Sequence, residues 1–264
     1  YSEGSLADEP IAGVPEVWSQ SQGGLLDVKV HPNYDENGWI YLTYSSPEGS
    51  GAGANTALMR AKLNDDRTEL VSKEVLYKAE PNTERGQHFG SRIVFDNDGH
   101  VFFGIGDRGA RDVNPQDITR DAGKIYRLNE DGSIPEDNPF VGQEGLDAIF
   151  AYGIGNPQGM DLHPETGQLW EHEHGPRGGD EINIIEAGNN YGWPEISFGI
   201  NYNGTSFTDD TAKAGMEQPE WYWDPSNAPS GMTFVNSDKF PEWQGDILVG
   251  SLKFGYIVRA NVEN

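Results

Sequence analysis

Short apolar runs alternate with turns rich in Gly, Asp, Asn and Pro along the whole chain, and one version of this pattern recurs four times. Each copy contains a glycine, an apolar run, a polar turn, a second glycine and a second apolar run. The copies read GLLDVKVHPNYDENGWIYLTY, GSRIVFDNDGHVFFGIGD, GMDLHPETGQLWEHEHG and GMTFVNSDKFPEWQGDILVGSLK, and they begin at Gly24, Gly90, Gly159 and Gly231. Each copy predicts a β-hairpin, and the near-constant period indicates a structural repeat.

Further strand-like segments lie between the hairpins, among them TALMRAKL, KEVLYKA, KIYRL and INIIEAG. Each repeat therefore has room for about four short strands. Helical periodicity is nearly absent, while 34 glycines and 16 prolines supply turns. The pattern predicts an all-β fold, specifically a single β-propeller domain over residues 1–264. A β-sandwich is the competing all-β architecture, but it gives no reason for this period.

The ends of the chain fall inside repeats. The segment IAGVPEVWS resembles the outer strand of a blade, and the chain stops soon after FGYIVRANVEN. Either four blades close on themselves, or the chain is a segment of a larger ring.

Candidate site residues follow from the geometry of a propeller. The first strand of each blade lines the channel and the second runs antiparallel to it, so the start of one and the end of the other share a mouth. The residues at these positions are Gln22, His88, Pro157, Pro229, Ser46, Asp107, Gly175 and Lys253. Convergent polar groups at a rigid mouth are typical of a ligand site. Taken singly, His88, Asp107 and Lys253 also suit a structural histidine, a turn former and a solvated strand end.

Charge and composition narrow the partners. A formal net charge of −25 disfavours nucleic acid and anionic membrane surfaces. No apolar run approaches the roughly 20 residues that span a bilayer. The chain has no cysteine, which excludes a thiol nucleophile and is consistent with a periplasmic or secreted protein.

Other motifs give weaker signals. HEHG places His172 and His174 on one face of a strand, without the helical HExxH spacing of zinc proteases. NEDGSIPEDN and DNDG match calcium loops only in composition and are interpreted as turns. The chain lacks GxGxxG, Walker A and GxSxG sequences, which argues against Rossmann cofactors, P-loop chemistry and the α/β-hydrolase elbow.

Several longer motifs together resemble one known family. These motifs are QGGLLDVKVHPNY, HFGSRIVFDNDG, IGDRG, GNPQGMDLHPETG, WEHEHGPRGGDEINII, NNYGWP and SLKFG. The combination resembles the soluble pyrroloquinoline quinone (PQQ) dependent glucose/sorbosone dehydrogenases, in particular their aldose sugar dehydrogenase branch. The resemblance implies a six-bladed propeller, of which about four blades are present here. It also implies oxidation of the C1 hydroxyl of an aldose to a lactone, with PQQ and calcium at the channel mouth.

The resemblance also implies roles for individual residues in the reaction. His88 matches the general base, and Asp107 matches the acid that orients its imidazole. The cofactor contacts would be Gln22, Gln116, Asn156 and Lys253, the last as a cation that faces the anionic PQQ. Relatives often carry arginine where this chain has Gly155, and they carry two further arginines in a region beyond its end.

Two calcium sites follow from the same likeness. Gly175 and Pro176 match the pair whose backbone carbonyls hold the calcium of the cofactor. Glu181 and Tyr191 match the ligands of a second, structural calcium, Tyr191 through its carbonyl. The implied partners are a sugar and an unidentified electron acceptor, and the oligomeric state is left open. The main alternative is a propeller of the same family that binds carbohydrate or protein without catalysis. A hydrolase is a weaker third reading, since no paired carboxylates are evident at the mouth.

Overall fold

The computed structural model describes residues 4–262 and folds into four antiparallel sheets. The first sheet contains β1 (Leu25–Val30), β2 (Ile40–Ser46), β3 (Asn55–Leu63) and β4 (Leu70–Lys78). The second contains β5 (Ile93–Phe95), β6 (His100–Ile105), β7 (Lys124–Asn129) and β8 (Ile149–Tyr152). The third contains β9 (Pro157–Leu162), β10 (Leu169–Glu173), β11 (Asp180–Ile185) and β12 (Trp221–Trp223). The fourth contains β13 (Pro229–Phe234), β14 (Ile247–Ser251) and β15 (Ile257–Ala260).

Helical structure is limited to two short turns within this part of the chain. A four-residue helix, α1 (Tyr34–Asn37), lies between β1 and β2, and a 3-10 turn at Pro241–Trp243 precedes β14. None of the helices within residues 4–262 is long and apolar enough to cross a bilayer.

Strands that are consecutive in the chain pair with each other in every sheet. The four predicted hairpins are β1–β2, β5–β6, β9–β10 and β13–β14, and all four are confirmed. The strand-like segments between the hairpins become β3, β4, β7 and β11, as predicted. The first strand of each sheet contacts the first strand of the next, which gives the radial arrangement of a β-propeller.

The core lies between the faces of adjacent sheets. Phe103 and Tyr126 stack with ring centres 5.0 Å apart in the layer between the first and second sheets. Phe102 and Phe150 meet edge to face between the second and third sheets. Trp170 meets Phe234 in the same way, at 5.7 Å, between the third and fourth sheets. Large aromatic side chains at these layers bury area and fix the relative rotation of the blades.

The prediction of an outer strand at IAGVPEVWS is wrong. Ala12 forms a single parallel bridge with Glu69, and the segment then crosses to the other end of the sheet, where the Trp18 N–H donates to the carbonyl of Ser45. Gly13 adopts φ +77, and a Cβ there would lie 2.7 Å from the Leu70 carbonyl oxygen. This left-handed kink prevents a continuous ladder.

The two ends of the sheet array expose apolar side chains. Leu25, Val28 and Val30 of β1 are each more than half exposed, and Ile257 of β15 is 69% exposed. The fourth sheet has three strands within residues 4–262, whereas each of the other sheets has four. These faces are suited to packing against further blades. That the chain is a segment of a six-bladed ring remains a prediction.

Candidate active site

His88 and Asp107 face each other at one end of the β5–β6 hairpin. The Nδ1 atom of His88 lies 2.6 Å from Oδ1 of Asp107. The Asp107 side chain is 2% exposed, whereas that of His88 is 32% exposed. A proton on Nδ1 satisfies the buried carboxylate and leaves the lone pair of Nε2 free. The pair therefore has the arrangement of a base held by a carboxylate.

The backbone of His88 is fixed separately from its ring. His88 adopts φ +57, and its N–H donates to Oε1 of Gln22 at 2.7 Å. Arg108, the residue after Asp107, donates to the carbonyl of Arg85 at 2.8 Å and lies 3.5 Å from the centre of the Phe89 ring. The guanidinium thus holds the segment on both sides of the histidine.

Arg108 was not identified from the sequence. It is 1% exposed, and burial lowers its pKa to about 10. Its hydrogen bonds go to carbonyl oxygens, which are neutral acceptors. The carbonyl acceptors of Arg108 lie 21 to 54 residues away in the chain, so no short-range pattern reveals them. In the sequence, only the position of Arg108 next to Asp107 in GDRG pointed to a role at the site.

A buried carboxylate supports Asp107 from behind. Glu173 accepts the N–H groups of Gly155 and Asn156, and the carbonyl of Gly155 in turn accepts the N–H of Asp107 at 2.7 Å. Burial raises the pKa of Glu173 to about 8. A Cβ at Gly155 would lie 2.9 Å from the Glu173 carboxylate and 3.4 Å from the Trp193 ring, so there is little room for a side chain at this position.

Two adjoining cavities open at this end of the propeller. One, of about 480 Å³, is lined by His88, Asp107 and Trp193. The other, of about 720 Å³, is lined by residues that include Ser226 and Lys253. Both are also lined by Pro176 and Tyr202, so they meet there. The structure therefore brings His88, Asp107, Pro176 and Lys253 around connected space.

Gln22 and Asn156 line a narrower cavity of about 270 Å³ next to the inner strands. Gln22 connects this cavity to the site through its bond to the His88 N–H. The Asn156 side-chain oxygen accepts a hydrogen bond from Gln158 at 3.0 Å. Both predicted cofactor contacts therefore line a cavity that borders the His88 segment.

Cationic side chains are concentrated around the two larger cavities. Arg85 and Arg111 line the first, while Arg177 and Lys253 line the second. Lys253 is exposed and donates to the carbonyl of Ser226 at 3.0 Å, a neutral acceptor that does not cancel its charge. The same linings contain Asp107, Asp112 and Asp224, so these four cations leave only a small local excess of positive charge in a chain with a net charge of −25.

Gln116 occupies a different place from the other predicted cofactor contacts. Its amide exchanges hydrogen bonds of 3.0 and 2.7 Å with Asn190 and donates to the carbonyl of Trp193 at 2.8 Å. The side chain therefore lies behind Trp193, as part of the support of the site. Its role as a cofactor contact remains a prediction that this geometry does not favour.

Gly175 and Pro176 begin a compact turn that is anchored by Asp180. The Asp180 carboxylate accepts the Gly175 N–H at 2.9 Å, and its other oxygen accepts N–H groups from Asn227 and Ala228. A Cβ at Gly175 would lie 2.2 to 2.3 Å from the carbonyl oxygens of Gly178 and Gly179. The turn therefore has no room for a side chain at 175, and the Gly175 and Pro176 carbonyls as calcium ligands remain a prediction.

Glu181 belongs to a group of acidic side chains on one face of the third sheet. The β10–β11 register pairs Glu173 with Glu181 and Glu171 with Asn183, which places these side chains on the same face. Burial raises the pKa of Glu171 and Glu181 well above the ordinary value, and the neighbouring carboxylate of Glu173 raises both further. One oxygen of Glu171 is buried without a hydrogen-bond partner.

A cation at this face would relieve the cost of burying these carboxylates. Within residues 4–262, however, no three or more His, Asp or Glu side chains form a metal-binding group. Calcium would therefore need backbone oxygens as additional ligands, as the expected Tyr191 carbonyl provides. The Tyr191 hydroxyl donates to the carbonyl of Ile184 at 2.6 Å, which ties its loop to β11.

The two histidines of HEHG differ in their exposure, since His172 is buried and His174 is partly exposed. His172 is fully buried without a hydrogen-bond partner on either ring nitrogen, and burial lowers its pKa to about 3. Nε2 of His174 lies 2.6 Å from the carbonyl oxygen of Pro229. β10 packs against β13, and burial lowers the pKa of His174 as well.

Comparison with known proteins agrees with these features. The family described as Glucose / Sorbosone dehydrogenase matches residues 1–264. Aldose sugar dehydrogenase YliI of Escherichia coli (strain K12) is 44% identical over 256 residues, which cover 96% of this chain and 68% of that protein. A crystal structure of glucose dehydrogenase superimposes with a TM-score of 0.94 at 40% identity, covering 97% of this chain and 74% of the other. The PQQ-bound form of aldose sugar dehydrogenase from Streptomyces coelicolor has a TM-score of 0.78 at 25% identity, covering 96% and 67%. The chain belongs to the glucose/sorbosone dehydrogenase family.

Proposed function

We propose that this protein oxidises the C1 hydroxyl of a cyclic aldose to a lactone with PQQ as cofactor and calcium as its metal. The observation that carries the proposal is the His88–Asp107 pair, which opens onto a cavity of about 480 Å³. The relatives support it, because they include an aldose sugar dehydrogenase and a PQQ-bound structure.

His88 acts as the base of the reaction. Its Nδ1–H is held by Asp107, so Nε2 accepts the proton of the C1 hydroxyl. The imidazolium that forms is stabilised by the buried carboxylate, which is 2% exposed and accepts two further hydrogen bonds from Gly109 and Trp193. When bound, PQQ supplies the two-electron acceptor for the hydride that leaves C1, with calcium polarising the quinone carbonyl.

The remaining mouth residues hold the cofactor. Lys253 and Arg177 balance the carboxylates of PQQ, and Gln22 and Asn156 offer amide groups from the channel side. The carbonyls of Gly175 and Pro176 hold the calcium of the cofactor. Glu181 and the Tyr191 carbonyl hold a second, structural calcium, at the face where buried carboxylates lack a counter-charge.

We further propose that residues 1–264 are part of a six-bladed ring that works in the periplasm or outside the cell. The chain spans 68% and 64% of the first two curated relatives. The exposed apolar faces of β1 and β15 are where the remaining blades would pack. The other participants are a sugar and an electron acceptor that reoxidises the cofactor.

The test uses a matched pair of histidines on one hairpin. His88 and His100 lie at opposite ends of the β5–β6 hairpin, and each has Nδ1 against an aspartate, at 2.6 and 2.7 Å. In a ring completed with the remaining blades of the Escherichia coli relative, His88→Gln should abolish glucose-dependent dye reduction while PQQ absorbance in the protein is retained. His100→Gln should leave both unchanged. Saturable sugar binding without turnover in the completed ring would favour the non-catalytic alternative.

A further inference from the structure

We infer that Trp193 is a positioning residue for the proposed base, because its indole N–H fixes the carboxylate of Asp107 and through it the imidazole of His88. The inference rests on the proposed function for its catalytic consequence. The link from Trp193 to the tautomer of His88 rests only on the contacts of Asp107 with these two residues.

The two oxygens of Asp107 have different partners. Oδ1 faces Nδ1 of His88 at 2.6 Å and accepts the N–H of Gly109 at 2.7 Å. Oδ2 accepts the Nε1–H of Trp193 at 2.9 Å. An indole N–H can only donate, so this contact requires an acceptor at Oδ2 and favours one orientation of the carboxylate.

Trp193 is itself held on several sides. Its backbone N–H donates to the carbonyl of Gly153 at 2.9 Å, and its carbonyl accepts the amide of Gln116 at 2.8 Å. Its ring meets the Phe207 ring nearly at right angles, with centres 5.3 Å apart. On another side the ring lies beside Gly155, where a Cβ would be 3.4 Å from it. The indole is thus a fixed donor.

The tautomer of His88 depends on this orientation. The torsion that turns a carboxylate about its Cβ–Cγ bond is soft. The Trp193 N–H on Oδ2, together with the Gly109 N–H on Oδ1, holds it so that Oδ1 points at Nδ1, which keeps the proton on Nδ1 and the lone pair on Nε2. The substitution Trp193→Phe would keep an aromatic ring against Phe207 and Gly155 but would remove the N–H that donates to Asp107.

The first experiment needs no cofactor. We expect ¹⁵N NMR of the apoprotein to show His88 as the Nδ1–H tautomer, and Trp193→Phe to move a substantial fraction of it to the Nε2–H form. Phe207→Leu is the control, since it alters packing on the Trp193 ring and keeps the indole N–H. An unchanged tautomer in Trp193→Phe would overturn the inference, as would an equal change in Phe207→Leu.

A second measurement covers the case in which Trp193→Phe does not fold. In the otherwise unaltered protein, Asp107→Ala should move the indole N–H resonance of Trp193 upfield and accelerate its exchange with solvent. A resonance that does not respond to Asp107→Ala would show that the indole N–H does not depend on the carboxylate.

The catalytic consequence is tested in the completed ring. Trp193→Phe should lower kcat roughly tenfold, as expected for loss of one hydrogen bond to a charged group, with KM and PQQ affinity within about twofold. In an Asp107→Ala background the same change should have an effect below about twofold, because Trp193 acts through Asp107. Equal losses in both backgrounds would refute the positioning role. If Trp193→Phe changes the His88 tautomer but the completed ring never oxidises sugar, the proposed function is refuted. The link from Trp193 to the His88 tautomer then still holds.

Discussion

Asp107 and Arg108 are consecutive in the chain and hold two different parts of the same segment. The Asp107 carboxylate contacts the imidazole of His88. The Arg108 guanidinium donates to the backbone carbonyls of Arg85 and Gln87, which precede His88, and stacks on the ring of Phe89. The ring and the backbone of His88 are therefore held by separate groups, and their contributions can be separated by mutation.

Asp107→Asn in the completed ring should lower kcat by roughly 100-fold or more, since an amide neither stabilises the imidazolium nor enforces the tautomer. PQQ affinity should change little, because the aspartate acts on the histidine. The matched control is Asp96→Asn, which alters the equivalent partner of His100 at the other end of the hairpin. Both kcat and PQQ affinity should be measured for each variant. An equal loss of kcat and PQQ affinity in Asp107→Asn would contradict the role of Asp107 as a partner of His88.

Arg108→Lys should destabilise the fold by roughly 1.5–3 kcal/mol, because an ammonium cannot reach carbonyls on several sides as the planar guanidinium does. Urea unfolding gives the free energy directly. Arg120→Lys is the comparison, since Arg120 is exposed and lies 4.0 Å from Asp117; it should cost less than about 0.5 kcal/mol. Similar values for the two variants would show that the buried contacts of Arg108 contribute little.

Lys124 should make the stability of the protein depend on pH. It is fully buried, its Nζ donates to the carbonyl of Ala122 at 2.7 Å, and burial lowers its pKa to about 7 from the ordinary 10.5. As the pH falls from about 10.5 to about 7, the unfolded chain takes up a proton that the folded chain does not. The free energy of unfolding should therefore decrease across this window and level off below it.

The variant Lys124→Met should remove that component of the pH dependence, and the exposed Lys29→Met should retain it. Unfolding curves at several values between pH 6.5 and 10.5 give the comparison. A pH slope that is the same in all three proteins would show that Lys124 is not its source.

Calcium should raise the unfolding temperature by several degrees at concentrations far above its Kd, because a site built from Glu181 and the Tyr191 carbonyl exists only in the folded state. Glu181→Gln should reduce this shift, and the exposed Glu165→Gln should not. Differential scanning calorimetry with excess chelator and with added calcium tests both. Identical melting with and without the ion, once metal analysis confirms its removal, would rule the site out.

Residues 1–264 alone, given PQQ, calcium and glucose, should show little or no dye reduction, and the completed ring should restore it. The reason is electrostatic: PQQ carries several carboxylates, and each missing charge-assisted hydrogen bond weakens its binding by roughly 1.5–3 kcal/mol in a chain of charge −25. Restored activity should disappear in His88→Gln. Equal turnover by the isolated chain and the completed ring would contradict the prediction that further cations are needed.

The sequence was most informative where the structure is local. Hairpins and their turn glycines follow from short-range patterns, and the shared mouth follows from the antiparallel hairpin, so His88 and Asp107 could be placed together before any coordinates. Trp193 could not, because its contact with Asp107 joins residues 86 apart through the packing of two sheets. The contacts of Glu173 with the N–H groups of Gly155 and Asn156 are likewise tertiary. The expected strand at IAGVPEVWS failed because the contact between Gly13 and Leu70 is a tertiary one.

The pairing of each strand with its neighbour in sequence has a consequence for how the protein is made. Every sheet within residues 4–262 is built from one continuous stretch of chain, with no strand borrowed from a distant part. Loop-closure entropy is small for the tight hairpins such as β5–β6, so they form early, and it is larger for β11 and β12, which residues 186–220 separate. During synthesis the N-terminal hairpins can therefore assemble while later ones are still inside the ribosome, and each new sheet meets a finished surface on which to nucleate.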